Sequence, residues 1–313
     1  MRLIVGTHTG LYLITLDLEK DNALIQVLNY GYYYGIAVWE DRFIAARRTL
    51  CLSKLSPTTF EAYNMEGEFA FIPDIDGAKI VDCHQITSGK KGLYITNSAN
   101  RRLDYVNQQL SEAKHITFTK DPDVDFRINS VSIYGDDLYL CRHNRDIKPS
   151  EIFHLKHTDE SWVMCGRYPI MDYGVHNLVY DSGWMFYNAS DEGKVKAVYL
   201  PSYTTEDWER KGSLKTHEIE IEESSHTKGM AVHETLLLVG VSEKVDTMSR
   251  FSSQSSIALV DLSINKVIGV LPLRQNNGLP LGNINEIRVL PPLSSKKIAP
   301  IGTLEQATET QTL

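Results

Sequence analysis

Cysteine is scarce in this chain, and nothing is arranged to use it. The 313 residues hold four cysteines, Cys51, Cys83, Cys141 and Cys165, with no Cys-x-x-Cys pair and no metal-like spacing. Reduced thiols in a cytoplasmic setting are the expectation. No apolar run approaches the ~18–20 residues that span a bilayer, so no membrane association is expected. The opening Met1-Arg-Leu-Ile-Val-Gly6 lacks an apolar signal segment and already reads as a strand. Positive charge is short too: 32 Lys+Arg against 40 Asp+Glu give a formal charge of −8, which argues against a nucleic-acid binder. There is no Gly-x-Ser-x-Gly elbow, no Gly-rich phosphate loop and no His-Glu-x-x-His helix. No sustained 3.6-residue apolar stripe marks an appended helical domain.

What is present is a strand pair written six times. Tyr34–Trp39 is followed by Arg42–Arg47, His84–Thr87 by Gly92–Asn97, and Asn129–Ile133 by Asp137–Arg142. Then come His176–Tyr180 with Trp184–Asn188, and Lys228–Val232 with Leu236–Gly240. The sixth first strand, Asn285–Leu290, stands near the end of the chain, and its partner, Arg2–Gly6, at the start. The copies recur roughly every 45 to 57 residues, a period that indicates four short strands per unit. Two more alternating runs follow each pair, for example Leu11–Leu16 and Ile25–Asn29, or Leu50–Leu55 and Phe60–Tyr63. The expected fold is all-β: a single six-bladed β-propeller over residues 1–290, closed by the terminal strands sharing one blade. Residues 291–313 are polar and read as a mobile tail, and residues 201–225 and 243–256 as long inserts.

In a propeller the first strand of each blade lines the central channel, and the second returns to the same rim. That sorts the polar residues by face. Strand-one starts carry Asp82 and His84, Arg127 and Asn129, His176 and Asn177, His226 and Lys228, and Asn283, Asn285 and Glu286. Strand-two ends carry His8, Arg47 and Arg48, Asn97, Arg142 and His143, and Asn188. Imidazoles and carboxamides at a narrow, partly desolvated neck destabilise the fold unless they bind something or each other. Convergent His, Asn and Glu side chains offer what a divalent cation requires, with His84, His176, His226, Glu286 and Asn129 as the candidate set. The plainer use of the same residues is to bridge blades through hydrogen bonds. His8 and His143 are the candidate proton-transfer groups. Arg47, Arg127, Arg142, Lys228, Asn97 and Asn188 are the candidates for holding a small polar or anionic substrate. The cations equally suit ion pairs with Asp82, Asp104 or Glu286. Tyr30, Tyr32, Tyr33 and Tyr34 either wall a pocket over the channel or pack between blades.

At Tyr34-Gly-Ile-Ala-Val the chain resembles the NHL, SMP-30 and strictosidine-synthase-like group of six-bladed propellers, where such an innermost strand recurs. The resemblance covers the repeat pattern over about 290 residues. It implies the same fold, and either a metal-dependent lactonase or esterase or a pure binding module. Its lactonase members imply a calcium site, for which Glu286, Asn129, Asn177 or Asn188, and Asp82 are the nearest equivalents. The expected function is a metal-dependent enzyme at the channel mouth. The alternative is a non-catalytic propeller that binds a sugar, peptide or protein partner through the inserts.

Overall fold

The computed structural model describes residues 1–293, apart from 21, 50–56, 74, 76–79, 111–112, 118–126, 144–147, 158–161, 171 and 201–216. The run Leu50–Leu55, Cys51, most of the first insert and nearly all of the tail lie outside the described residues. Strands β1 (Arg2–Thr7), β2 (Gly10–Asp17) and β3 (Asn22–Tyr30) open the first blade. Blade 2 comprises β4 (Tyr32–Trp39), β5 (Arg42–Arg48), β6 (Thr58–Asn64) and β7 (Phe69–Phe71). Blade 3 comprises β8 (Ile86–Gly89), β9 (Gly92–Asn97), β10 (Arg102–Asn107) and β11 (Ala113–Thr117). Blade 4 runs through β12 (Ile128–Tyr134), β13 (Asp137–Arg142), β14 (Glu151–His157) and β15 (Trp162–Pro169). Blade 5 follows with β16 (Val175–Asp181), β17 (Trp184–Ala189), β18 (Lys194–Tyr199) and β19 (His217–Glu220). Blade 6 holds β20 (Ser225–His233), β21 (Leu236–Glu243), β22 (Ser255–Asp261) and β23 (Lys266–Leu273). Finally β24 (Ile284–Leu290) pairs antiparallel with β1, Arg2 opposite Leu290 and Val5 opposite Ile287, and completes blade 1.

The ring is therefore a six-bladed propeller closed by its two terminal strands, which leaves no open edge at the join. One assignment changes. In blade 2 the third strand is Thr58–Asn64, not Leu50–Leu55, and the fourth is Phe69–Phe71. The segment Phe60–Tyr63 thus moves inward by one place, because β6 pairs with β5 from Arg42↔Asn64 to Arg48↔Thr58.

Burial explains why these runs are strands. Inner strands are covered on both sides and read as continuous apolar segments, such as Leu3-Ile4-Val5 and Leu237-Leu238-Val239, all 0% exposed. Outer strands alternate: in β23, Leu271 and Leu273 are buried while Ile268 and Val270 face solvent. The apolar core falls into six clusters, one between each neighbouring pair of blades. Leu3, Val5 and Ile14 of blade 1 meet Leu238, Ile257 and Leu259 of blade 6. Ile44 and Phe60 of blade 2 meet Ile86 and Ile95 of blade 3 in the same way. Each such side chain contributes ~1.5–3 kcal/mol of burial free energy.

Five of the six innermost strands carry a one-residue β-bulge at the same end. In blades 1, 4 and 5 the extra residue is Asn285, Asn129 or Asn177, each skipped by its pairing partner. In blade 2, Tyr34 and Gly35 stand opposite a single residue, between the pairs Tyr33↔Arg47 and Ile36↔Ala45. In blade 6, Lys228 and Gly229 do the same between Thr227↔Val241 and Met230↔Val239. A bulge re-aims a side chain out of the ladder, and here every bulge opens on one mouth of the channel.

The asparagine bulges staple the ring. Asn285 Nδ2 donates to Tyr33 O at 2.8 Å, and Asn129 Nδ2 to Val175 O at 2.8 Å. Asn177 Nδ2 donates to Asn285 O at 3.3 Å, and its Oδ1 accepts Gly229 N–H at 2.8 Å. Gln85 crosses between blades, its Oε1 accepting Val131 N–H at 2.9 Å and Leu178 N–H at 3.4 Å. Arg288 reaches Met230 O at 3.3 Å and Ile86 O at 3.1 Å. The inner strands do not pair with one another, so these side chains satisfy the backbone groups that line the channel.

Candidate functional site

Where the bulges open, Tyr34, Lys228, Arg48 and His8 form one corner. Gly35 and Gly229 make the close approach feasible. A Cβ on Gly35 would stand 2.6 Å from Ile86, and Gly229 adopts φ +77° with Ile284 and the Glu286 backbone around it. Freed from the ladder, Lys228 Nζ lies 4.3 Å from the Tyr34 ring centroid, and Arg48 Cζ lies 4.5 Å from it. Arg48 is ion-paired with Asp82, both largely buried.

The tyrosine and histidine hydroxyl and ring groups form a directional chain. His8 Nδ1 lies 3.2 Å from Asn283 O, a carbonyl that only accepts, so Nδ1 carries the proton. Nε2 is then an acceptor and takes the Tyr32 O–H at 2.9 Å. The Tyr32 oxygen in turn accepts the Tyr34 O–H at 2.7 Å. Phe251 closes the outside of this corner, 5.4 Å from the His8 ring and 5.8 Å from Tyr32. Burial and the nearby Lys228 push His8 down to about 2, so it is neutral throughout the physiological range. Burial alone would raise the Tyr34 phenol, but Lys228 and Arg48 outweigh it and lower its pKa. Lys228 is itself lowered, by burial first and then by Arg250 and Arg48.

Opposite this corner stands a row of imidazoles. His176 is 6.3 Å from His84 on one side, 6.3 Å from His226 on the other, and 5.0 Å from His143 (ring centroids). The two flanking histidines each face a carboxylate. His84 Nε2 lies 3.5 Å from Asp82 Oδ2, and His226 Nδ1 lies 3.6 Å from Asp191 Oδ1. Tyr34 joins the two sides of the mouth, with its ring 5.1 Å from His84. Burial lowers the pKa of His84, His176 and His226, and Lys228 lowers all three further. His84, His176 and His226 are therefore neutral near pH 7, with nitrogen lone pairs free to accept protons or hydrogen bonds.

The candidates from the sequence divide. His8, His84, His143, His176, His226 and Lys228 come together at this mouth. Arg127 sits beside it, close enough to help hold the Asp82 carboxyl low, after burial, His84 and Arg48 have acted on it. Asn129 is at the mouth but engaged, donating its amide N–H to His176 Nδ1 at 3.2 Å while its Oδ1 accepts the Ser130 O–H at 3.1 Å. Glu286 stands apart from the imidazoles. Its Oε1 accepts from Arg288 Nη1 at 2.6 Å and its Oε2 from Asn177 Nδ2 at 3.3 Å, and burial raises its pKa to about 8. Asn188 belongs to the same network, donating to Asn177 Oδ1 at 3.4 Å. Asn97 ties Val81 N–H to Asp104 within blade 3. Arg47 turns to Glu61 at 3.4 Å, and Arg142 pairs with Glu151 within blade 4. Adjacent strand residues point to opposite faces, so Arg48 rather than Arg47 reaches the mouth.

Other participants at the mouth were given no catalytic, substrate-binding or metal role from the sequence. Tyr32 and Tyr34 face the mouth, while Tyr33 between them packs among blades and bonds Glu61. Alternation makes both readings of the tyrosine cluster hold at once. Arg250 and Phe251 come from a short 3-10 turn, Ser249–Phe251, in the insert 243–256. That insert folds over the mouth, with Asn283 N–H donating to Arg250 O at 2.9 Å. Asp191 sits in a second 3-10 turn, Ser190–Glu192.

No family model matches the chain, and no curated protein matches it either. Solved structures do. A chain from a nidogen–laminin complex is 11% identical with a TM-score of 0.63, covering 91% of this chain and 97% of that one. A "putative 6-phosphogluconolactonase" from Bacteroides uniformis is 12% identical with a TM-score of 0.55, covering 88% and 86%. Its namesake from Bacteroides fragilis is 15% identical with a TM-score of 0.54, covering 88% and 85%. At these identities the likeness shows the propeller fold. Among the described residues no helix is long and apolar enough to cross a membrane.

Proposed function

We propose that the bulge-lined mouth is the active site of an enzyme that performs general acid–base chemistry on a small polar substrate. The observation that carries this is the pair of His–Asp couples, His84–Asp82 and His226–Asp191, flanking His176 and facing Tyr34 and Lys228. A neutral imidazole oriented by a carboxylate is the arrangement that accepts a proton from water or a hydroxyl. Lys228 lies where it would stabilise negative charge developing on the substrate. His8 stays neutral and orients Tyr32 and Tyr34 by hydrogen bonds rather than taking up a proton, and His143 assists from beside His176. Two neighbours carry the name 6-phosphogluconolactonase, which makes lactone hydrolysis the first reaction to assay. Once an active lactone or ester is found, His84→Gln and His226→Gln should each lower kcat by about 100-fold or more. Both variants should keep the folded circular-dichroism spectrum. Folded variants with full kcat would overturn the acid–base reading and favour a non-catalytic binding propeller.

A second reading has its own observation: His84 Nδ1 is buried and meets no hydrogen-bond partner among the described residues. Nitrogen donors from His84, His176 and His226 suit zinc or another transition metal better than calcium. Asp82 is taken by Arg48, and Glu286 by Arg288. Among the described residues no group of three His, Cys, Asp or Glu side chains stands in metal-ligand geometry, and Lys228 opposes a cation there. Elemental analysis of untagged protein tests this reading. Near-stoichiometric metal that is lost in His84→Ala/His176→Ala would establish it, and metal-free active enzyme would remove it.

A further inference from the structure

Among the described residues the buried Lys228 and the half-buried Arg250 stand at the mouth without a carboxylate partner. Arg48 is committed to Asp82, and Asp191 stands with His226. Lys228 is 4% exposed, and among the described residues no carboxylate lies within ion-pair distance of it or of Arg250. Imidazoles are neutral or cationic and so offer no negative counter-charge, and Tyr34, its ring centroid 4.3 Å from Lys228 Nζ, is the neighbour that eases the ammonium's charge. Arg250 Nε is buried without a hydrogen-bond partner among the described residues. The same turn places Phe251 against His8 and Tyr32. A charge held away from water without a partner is costly, and a ligand that supplies the partner recovers that cost on binding.

We propose that the mouth binds a small, doubly charged oxyanion, with Lys228 and Arg250 as its two counter-charges. This rests on the mouth being the substrate site, and it names the substrate class: a dicarboxylate or a phosphate monoester. A monoanion would leave one of the two cations unmatched. The Tyr34–Tyr32 hydroxyl pair and the Phe251 ring border the same space, so the ligand body would lie against aromatic walls. Guanidinium and ammonium groups both take carboxylate and phosphate oxygens, so the shared chemistry is the dianionic head.

Isothermal titration calorimetry at fixed ionic strength, using inorganic phosphate, succinate and acetate, tests the proposal. Phosphate or succinate should bind at least tenfold tighter than acetate, and the preferred dianion identifies the source. Lys228→Met and Arg250→Met should each weaken that binding at least tenfold. Lys228→Met should also raise the thermal midpoint of the ligand-free protein, because it removes an unmatched buried charge; a merely structural lysine would do the reverse. Should Lys228→Met fail to fold, Arg250→Met on its surface turn carries the same binding test. Equal binding of acetate, no binding of any of the three, or unchanged affinity in both variants would overturn the proposal. If no anion binds while His226→Gln still abolishes turnover, the dianion site falls and the acid–base site stands. If the dianion binds as described while turnover ignores both histidine variants, only the acid–base chemistry falls.

Discussion

Blades 1, 4 and 5 and blades 2 and 6 bulge at the same point of the innermost strand, yet spend the extra residue differently. In the first group the residue is an asparagine whose amide bonds a neighbouring blade's backbone, as Asn285 does with Tyr33 O and Asn129 with Val175 O. In the second group a glycine follows the bulged residue, and the backbone turns tightly enough to send Tyr34 and Lys228 into the mouth. One backbone device thus serves two purposes. Where a short amide fills the bulge, the ring is held together. Where glycine accompanies a long side chain, that chain is released toward a ligand. Blades 2 and 6 are the two neighbours of blade 1, so their side chains meet across it.

The comparison separates stability from function, and variants can break it in order of effect. Arg288→Met removes hydrogen bonds to the fully buried Glu286 carboxyl and to the carbonyls of Met230 and Ile86, and should cost about 3 kcal/mol or more in urea unfolding. A loss under 1 kcal/mol would mean the channel network contributes little to ring closure. Acidification comes next. His8, His84, His176 and His226 all have folded pKa values below the unfolded value of 6.5, so the unfolded chain binds more protons below that pH. Their stability contribution is complete above 6.5 and is lost as pH falls through and below it. Glu286 acts oppositely: raised to about 8 from 4.5, it favours the folded state more as pH falls through that window. Four lowered histidines against one raised glutamate leave a net loss of stability as pH falls from 6.5 to 5.5. Unfolding midpoints across that range measure it, and a flat profile would contradict the buried neutral row.

Smaller effects sharpen the contrast. Asn177→Ala strands the Gly229 N–H and should cost about 1–3 kcal/mol. Gly229→Ala forces a side chain at φ +77° against Ile284 and should cost a similar ~1–3 kcal/mol, with oxyanion binding weakened as Lys228 shifts. Asn177→Ala acts from the stapling side, so a larger loss of binding there than in Gly229→Ala would blur the division. Arg47→Ala, at an exposed end of an ion pair with Glu61, should change stability by less than about 1 kcal/mol and leave binding untouched.

The architecture was legible because burial on both faces writes itself as apolar runs, and Arg2–Gly6 could be matched to Asn285–Leu290 by pattern alone. Blade 2 was misread where Phe60–Tyr63, an inner strand by pairing, carries only four residues of clear alternation, and the true edge strand is three residues long. The rim histidines were legible from their repeat position. Which arginine enters the mouth was not, since Arg47 and Arg48 are adjacent and differ only in strand parity. Arg250, Phe251 and Asp191 lie in loop turns with no periodic signal, so only the folded chain brings them to the site.

Side-chain 15N NMR of the histidines, recorded from pH 8 to pH 5, tests the central claim most directly. His84, His176 and His226 should each titrate below the ordinary value of 6.5, and His8 should stay neutral across the whole range with its proton on Nδ1. Imidazoles that titrate together near 6.5 would contradict a desolvated, cation-facing mouth, and with it the chemistry assigned there.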